Sequence, residues 1–261
     1  MNFMKIYSLL CICVFAIVSC DNTIPEPLVI SNFDQEFVIR PWQDLTSVDN
    51  NYQLIVQSLQ EQECLNSQLD VSYEIMNNTI AIHINGISLD GPCNPGYSQP
   101  QAIINLDVNP GSYDLEIQVG SSIQNLGVID ISDETLHLNF DETSGFNFEQ
   151  DSILKIQDGI CWGYLDNRFI TEPELNSVAN QIFESINQIT SLPEGNYGHF
   201  VIGDFNVLHV YGADDDVTSM LLDMRKEDNW QLLKSILAEF TMKYPDAKYE
   251  FTRWDGLQIW N

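Results

Sequence analysis

Basic residues are scarce in this 261-residue chain: ten lysines and arginines face 38 aspartates and glutamates, giving a formal net charge of −28. A body this acidic repels nucleic-acid backbones and anionic lipid head groups, so we expect no nucleic-acid partner. The chain also lacks the serine-hydrolase elbow, the zinc-protease helix, the phosphate-binding loop and the dinucleotide-binding loop. These absences favour a binding role over catalysis and give no reason to expect a cofactor.

Long apolar runs are also missing, except at the N-terminus. Residues 6–18 are almost wholly apolar and follow Lys5, but they are fewer than the roughly 20 residues that a membrane-spanning helix needs. Their number is instead typical of the apolar core of a signal peptide. The run ends at Ser19-Cys20, and the sequence then becomes polar.

The residues Ile17-Val18-Ser19-Cys20 resemble the lipobox of bacterial lipoproteins, with Val18 where alanine or serine is commoner. The resemblance implies that residues 1–19 are a signal peptide and that Cys20 carries acyl chains. The protein is then expected in the cell envelope, lipid-anchored to a bacterial membrane, which is the outer membrane or the cell surface if the cell is Gram-negative. Two or three acyl chains give durable anchoring, and residues 20–27 are the predicted tether.

Three cysteines follow Cys20, and an exported chain folds in an oxidising compartment. Cys64 and Cys93 lie in one β-rich segment and are the predicted disulfide pair. A loop of about 30 residues closed by this bond is worth about 3–4 kcal/mol. Cys161 is then single, and we expect a small buried apolar residue, with a reactive thiol as the alternative.

Alternating apolar and polar residues through 28–145 predict seven or eight short strands and a β-sandwich. The clearest signal is a hairpin formed by residues 69–75 and 80–84 around Asn77-Asn78. Residues 106–117 resemble the tyrosine corner of fibronectin type III and related immunoglobulin-like domains. The resemblance implies an immunoglobulin-like sandwich in which the hydroxyl of Tyr113 bonds to nearby backbone, and it carries no function.

The pattern changes near residue 145, and residues 150–261 are predicted to form a second domain. Thr171 and Glu174 predict the start of a helix, and Asp228 the start of another. Strands precede, separate and follow them, including a last hairpin with a two-residue turn at Asp255-Gly256. This order predicts an α+β domain in which two helices cover one face of a mainly antiparallel sheet.

His199 and His209 are the candidate metal ligands. A three-residue hairpin loop at Gly203-Asp204-Phe205 would place them directly opposite each other, about 5 Å apart. A zinc site needs further ligands, which Asp204 or Asp214 could supply; otherwise both histidines are ordinary strand residues. The acidic run 214–216 could attract Ca²⁺ or form a solvated turn, and it does not match the EF-hand pattern.

Trp254 and Trp260 are the candidate ligand-binding residues, because exposed aromatic rings on a β-surface stack on sugar rings. Lipoproteins with immunoglobulin-like domains in glycan-utilisation systems use tryptophans in this way. A turn at Asp255-Gly256 would pair Trp254 with Leu257 and Phe251 with Trp260, and it would point the two tryptophans to opposite faces. One of them would then face the core and the other would be exposed; the alternative to ligand binding is a packing role.

These patterns favour a membrane-anchored envelope lipoprotein with a non-catalytic binding role, whose partner is another envelope protein or a glycan. A hydrolase with its site in the C-terminal domain, built on Cys161, His199 or His209, is the third hypothesis. Asp151-Ser152-Ile153 resembles the O-glycosylation sites of exported Bacteroidetes proteins, which makes Ser152 a candidate modification site.

Overall fold

The computed structural model describes residues 36–47, 51–214 and 216–261. The predicted signal peptide, Cys20 and the predicted tether lie outside these ranges. The described residues belong to one compact unit, which is mainly β with two helices. In this part of the chain no helix is both long enough and apolar enough to cross a bilayer.

Twelve strands form the first part. Alternate side chains of a strand point to opposite faces, and the first strand shows this pattern because Phe37 and Ile39 are buried whereas Val38 and Arg40 are half-buried. The strands are β1 (Phe37–Gln43), β2 (Tyr52–Ser58), β3 (Gln62–Cys64), β4 (Ser67–Met76), β5 (Thr79–Leu89), β6 (Pro95–Ser98), β7 (Gln101–Asn105), β8 (Gly111–Val119), β9 (Ile123–Ile131), β10 (Thr135–Phe140), β11 (Phe146–Phe148) and β12 (Ser152–Leu154).

Two sheets, ordered β11-β1-β2-β7 and β12-β10-β9-β8-β5-β4, share one hydrophobic core, as the predicted β-sandwich requires. The predicted β4–β5 hairpin is present, and Asn77 takes a positive φ of 54° at its turn. Two pairs, β1–β11 and β5–β8, are parallel, whereas immunoglobulin-like sheets are antiparallel. The topology therefore supports a sandwich, and the immunoglobulin-like class stays a prediction.

The predicted bond of Tyr113 is present. Its hydroxyl donates to the carbonyl oxygen of Asn109 at 2.7 Å, and its ring packs against the sandwich core. Because Asn109 lies in the loop between β7 and β8, this bond ties that loop to the strand that follows it.

Cys64 and Cys93 form the predicted disulfide. The bond joins β3 to the segment before β6, and these two short strands pair with each other outside the two large sheets. Cys161 is free and buried.

The C-terminal part has three layers. Two helices cover one face of a four-stranded sheet, as predicted, and a small three-stranded sheet covers part of the other face. Strands β11 and β12, beyond the predicted boundary at 145, pair with β1 and β10 of the sandwich. The elements of the C-terminal part are β13 (Ile160–Asp166), α1 (Glu172–Ser185), β14 (Gly195–Asn196), β15 (Phe200–Gly203), β16 (Val207–Val210), β17 (Val217–Asp223), α2 (Asn229–Lys243), β18 (Tyr249–Arg253) and β19 (Gln258–Trp260).

Helix α1 begins after Thr171, as predicted. The Thr171 hydroxyl donates to the carboxylate of Glu174 at 2.8 Å, and the Thr171 carbonyl accepts the backbone N–H groups of Glu174 and Leu175. The apolar faces of both helices are buried against the four-stranded sheet. These faces contribute Leu175, Val178, Ala179 and Ile182 from α1, and Trp230, Leu233, Ile236, Leu237 and Phe240 from α2.

Replacing both Cys64 and Cys93 with alanine is expected to lower the free energy of unfolding by about 3–4 kcal/mol, because the unfolded chain then regains the entropy of an open loop. Urea unfolding of the mature chain measures this difference. A reductant should lower the free energy of unfolding of the wild type to that of the double variant and should not change that of the double variant. Equal stability of the oxidised wild type and the double variant would contradict the prediction.

Candidate functional site

The four-stranded sheet, ordered β17-β13-β18-β19, has one face against the helices and one face directed away from them, here called the outer face. Directly paired residues of antiparallel strands project to the same side of a sheet, so the register defines rows across this face. One row is Leu221, Trp162, Thr252 and Gln258, and the next is Ser219, Tyr164, Glu250 and Trp260.

The small sheet β14-β15-β16 packs over part of the outer face through Phe200 and Ile202, which share a core with Trp162 and Leu221. Two clefts remain, and Val210 lines both. The larger cleft, of about 510 Å³, is lined by β16 and by the β17 residues Val217, Ser219 and Leu221. The smaller, here called the aromatic cleft, is about 210 Å³ and is lined by Trp42, Trp162, His199, Tyr211, Glu250 and Gln258, among others.

His199 lies where the sandwich meets the C-terminal part. Its ring centroid is 3.9 Å from that of Trp42 and 5.6 Å from that of Trp162. Its Nε2 is 2.8 Å from the carbonyl oxygen of Gln43 on β1, so Nε2 carries a proton and donates it to this bond. Burial lowers the pKa of His199 from 6.5 to about 4, against smaller opposing effects of the Gln43 carbonyl and the Asp44 charge.

The predicted pairing of His199 with His209 is wrong. The hairpin loop is Asp204–Asn206, one residue later than predicted, and this shift pairs His209 with Val201. His209 is exposed, whereas His199 is half-buried against the two tryptophans. Among the described residues no three potential ligands come together to hold a metal ion.

The acidic loop is held by an arginine. Asp214 forms a salt bridge with Nη1 of Arg168 at 2.7 Å, and Nη2 of Arg168 contacts the buried carboxylate of Asp166 at 2.6 Å. Hydrogen bonding to Arg168 keeps the pKa of Asp166 below its usual value. The positive charge of Arg168 beside Asp214 repels a metal cation such as Ca²⁺. The salt bridge therefore supports a structural role for the acidic run instead of Ca²⁺ binding.

The register of the last hairpin also differs from the prediction. Gly256 takes a positive φ of 75° and follows Trp254 and Asp255 in a three-residue loop, so the two-residue turn is wrong. Trp260 consequently pairs with Glu250 instead of Phe251, which puts it on the outer face. Its side chain is 74% exposed.

Trp254 serves packing. It is half-buried against both C-terminal cores, and the Arg253 guanidinium lies 4.7 Å from its ring centroid. Of the two tryptophan candidates, Trp260 is therefore the one that can meet a ligand.

The candidate hydrolase residues lie apart. Cys161 is buried on the helix-facing side of β13, where burial raises the pKa of its thiol, whereas His199 packs against Trp162 on the other side. Ser152, the candidate modification site, is the first residue of β12, and its hydroxyl donates to a carboxylate oxygen of Asp151 at 3.1 Å. Glycosylation of Ser152 stays a prediction.

Several residues of the outer face went unnoticed in the sequence. Tyr164 donates from its hydroxyl to the Glu250 carboxylate at 3.4 Å, and Gln258 donates from its side-chain amide to the Thr252 hydroxyl at 3.4 Å. The alternation of β18 and β19 contains these residues, but only the correct register shows that they share a face with Trp260.

Lowering the pH from 6.5 to about 4 is expected to reduce the free energy of unfolding by on the order of 3 kcal/mol through His199, because the unfolded chain binds the proton that the folded chain excludes. Urea unfolding at pH 7 and pH 4.5 measures this loss. His199→Gln should lose less stability over this interval than the wild type. His209→Gln, at an exposed position, is the matched control and should follow the wild type; identical losses in all three proteins would contradict the assignment.

The comparisons with other proteins assign no family. No family model matches the chain, and no curated protein or solved structure is significantly similar to it. The chemistry of the outer face is therefore the guide to the function of this chain.

Proposed function

We propose that the protein is a lipid-anchored, non-catalytic binding protein of the bacterial envelope. Cys20 is the anchor, the sandwich is the platform, and the outer face is the binding surface. The observation that carries the binding role is that the small sheet covers only part of this face and leaves two clefts, while Trp260 is exposed on the same face next to Glu250, a lining residue of the aromatic cleft. Concave sites with aromatic walls and a few convergent polar groups are typical of ligand binding.

The envelope location is supported by the lipobox and by the Cys64–Cys93 disulfide, since structural disulfides persist in oxidising compartments. The immunoglobulin-like assignment of the platform is supported by the hydrogen bond from Tyr113 to Asn109, which is the bond of a tyrosine corner. The parallel pairing of β5 with β8 is a departure from that class. Another envelope protein or a glycan is the proposed ligand.

The non-catalytic role is supported by the separation of Cys161 and His199, because nucleophilic catalysis needs the two groups within hydrogen-bond reach. Burial also keeps the Cys161 thiol protonated, which removes its nucleophilic form.

Cys20→Ala is expected to abolish the incorporation of radiolabelled palmitate and to release the protein from the membrane fraction, since no other acyl attachment site is predicted. Labelling and fractionation of cells expressing the full chain test this. Cys161→Ala is the matched control, because Cys161 is buried and should not affect labelling. Equal label in the Cys20 variant would remove the anchoring proposal.

A glycan is the second candidate, and Trp260 favours it. An indole that is 74% exposed provides a flat apolar surface for the C–H groups of a sugar ring, and Glu250 directly opposite it can accept hydrogen bonds from sugar hydroxyls. A large aromatic side chain exposed beside polar groups is typical of interaction sites.

Trp260→Ala is expected to weaken binding to a retarding polysaccharide about tenfold, by loss of the stacking surface. Native gels containing laminarin, xylan, mannan or dextran measure binding through retardation of the mature protein. Tyr97→Ala is the control, because Tyr97 is a 69% exposed aromatic residue on β6 of the other part and should leave retardation unchanged. Failure of all four gels to retard the wild type would reject the glycan candidate for these polymers.

A further inference from the structure

Both clefts open on the outer face, and each is lined by one residue of the row Ser219, Tyr164, Glu250 and Trp260. Ser219 lines the larger cleft, and Glu250 lines the aromatic cleft. Tyr164 lies between them, because it pairs with Ser219 on one side and with Glu250 on the other. Three inter-strand spacings across the four-stranded sheet place β19 about 14 Å from β17. The row is therefore long enough for a ligand of several linked units.

The direction of this row limits the class of ligand. It runs across the strands, whereas a peptide that extends a sheet lies parallel to the edge strand and pairs with its backbone. A ligand in the row instead meets side chains from four strands in turn: Ser219, Tyr164, Glu250 and Trp260. Recognition by side chains suits a chain molecule that offers its own polar groups at intervals.

The charge of the clefts limits the class of ligand further. Among the described residues that line the two clefts there is no lysine or arginine, and the carboxylates are Glu250 and Asp214, of which Asp214 is paired with Arg168 outside the lining. With a chain charge of −28, anionic ligands are repelled from both clefts. Phosphorylated, sulfated and carboxylated polymers are therefore disfavoured against neutral ones.

The polar groups are of the kind that hydroxyl groups satisfy. Tyr164 and Ser219 each donate and accept, Gln258 offers an amide, and the Glu250 carboxylate only accepts. Trp260 beside them supplies an apolar surface with 74% exposure. Hydroxyls that donate and accept, together with apolar ring faces, characterise sugars.

Resting on the proposed glycan-binding role, we propose that the row from Ser219 to Trp260 is one groove for a linear, uncharged polysaccharide. Trp260 stacks on a sugar ring at one end, and Tyr164 and Glu250 bind hydroxyls at the centre. The larger cleft, beside Ser219, accepts the far end of the chain. The same groove discriminates against polyuronates and sulfated glycans of equal length.

Chain length provides the test. Calorimetry or tryptophan fluorescence measures the affinity of the mature wild type for neutral oligosaccharides of increasing length, prepared from whichever neutral polysaccharide retards it in native gels. Affinity is expected to rise at least tenfold from the disaccharide to oligomers that span the groove. Oligogalacturonates of the same lengths serve as the charged comparison and are expected to bind at least tenfold more weakly.

Two variants separate the ends of the groove. Ser219→Arg places a bulky side chain at the larger cleft and is expected to remove the increase in affinity with oligosaccharide length. Trp260→Ala is expected to weaken binding at every length. Ser235→Arg, the same substitution at an exposed position on α2, is the control and should behave as the wild type.

The outcomes distinguish this inference from the role on which it rests. If the affinity of Ser219→Arg still rises with oligosaccharide length, the larger cleft is not part of the site. If Trp260→Ala binds oligosaccharides as tightly as the wild type, the glycan binds elsewhere. Either result overturns the groove and leaves glycan binding intact. Tighter binding of oligogalacturonates would overturn the charge selection. Absence of binding to every neutral polysaccharide would overturn both the groove and the glycan candidate.

Discussion

The C-terminal part depends on strand β13 having an apolar side chain on each face. Cys161 and Leu165 contact the helices, and Ile160 and Trp162 contact the small sheet, so one strand holds both C-terminal cores together. Gly163 in its centre is tightly enclosed, because a Cβ there would lie 2.2 Å from the carbonyl oxygen of Glu250. The absence of a side chain at this position lets β18 pair closely with β13, and this pairing sets Tyr164 beside Glu250.

The sandwich is joined to this assembly through polar contacts around β1. Gln43 is buried, and its side-chain amide oxygen accepts a hydrogen bond from the backbone N–H of Ile156 at 2.7 Å. The backbone carbonyl oxygen of Gln43 accepts a hydrogen bond from Nε2 of His199 at 2.8 Å. Trp42, on the same strand, stacks near His199 and lines the aromatic cleft. The sandwich thus supplies one wall of the proposed site and does more than carry it.

Much of the architecture was predictable because local patterns specify it. The alternation in β4 and β5, the N-cap at Thr171, the apolar faces of both helices and the Cys64–Cys93 pair all follow from spacings of a few residues or from cysteine number. Exposure of one C-terminal tryptophan was expected as well, but its identity and its neighbours were not. Both register errors arose in hairpin loops, where a shift of one residue changes every cross-strand pair.

The sequence alone therefore determined the acidity of the surface, the strands and helices, the disulfide and the apolar faces, since these depend on composition and on periods of two or 3.6 residues. Only the tertiary structure decided which side chains share the outer face. Trp254 joins Asp255 and Gly256 as a third residue of the last loop, and this carries Trp260 to Glu250 instead of Phe251. Trp42 and Trp162 converge on His199 from positions distant in sequence, because the packing of sheets on one another, unlike the pattern within a strand, leaves no periodic signal.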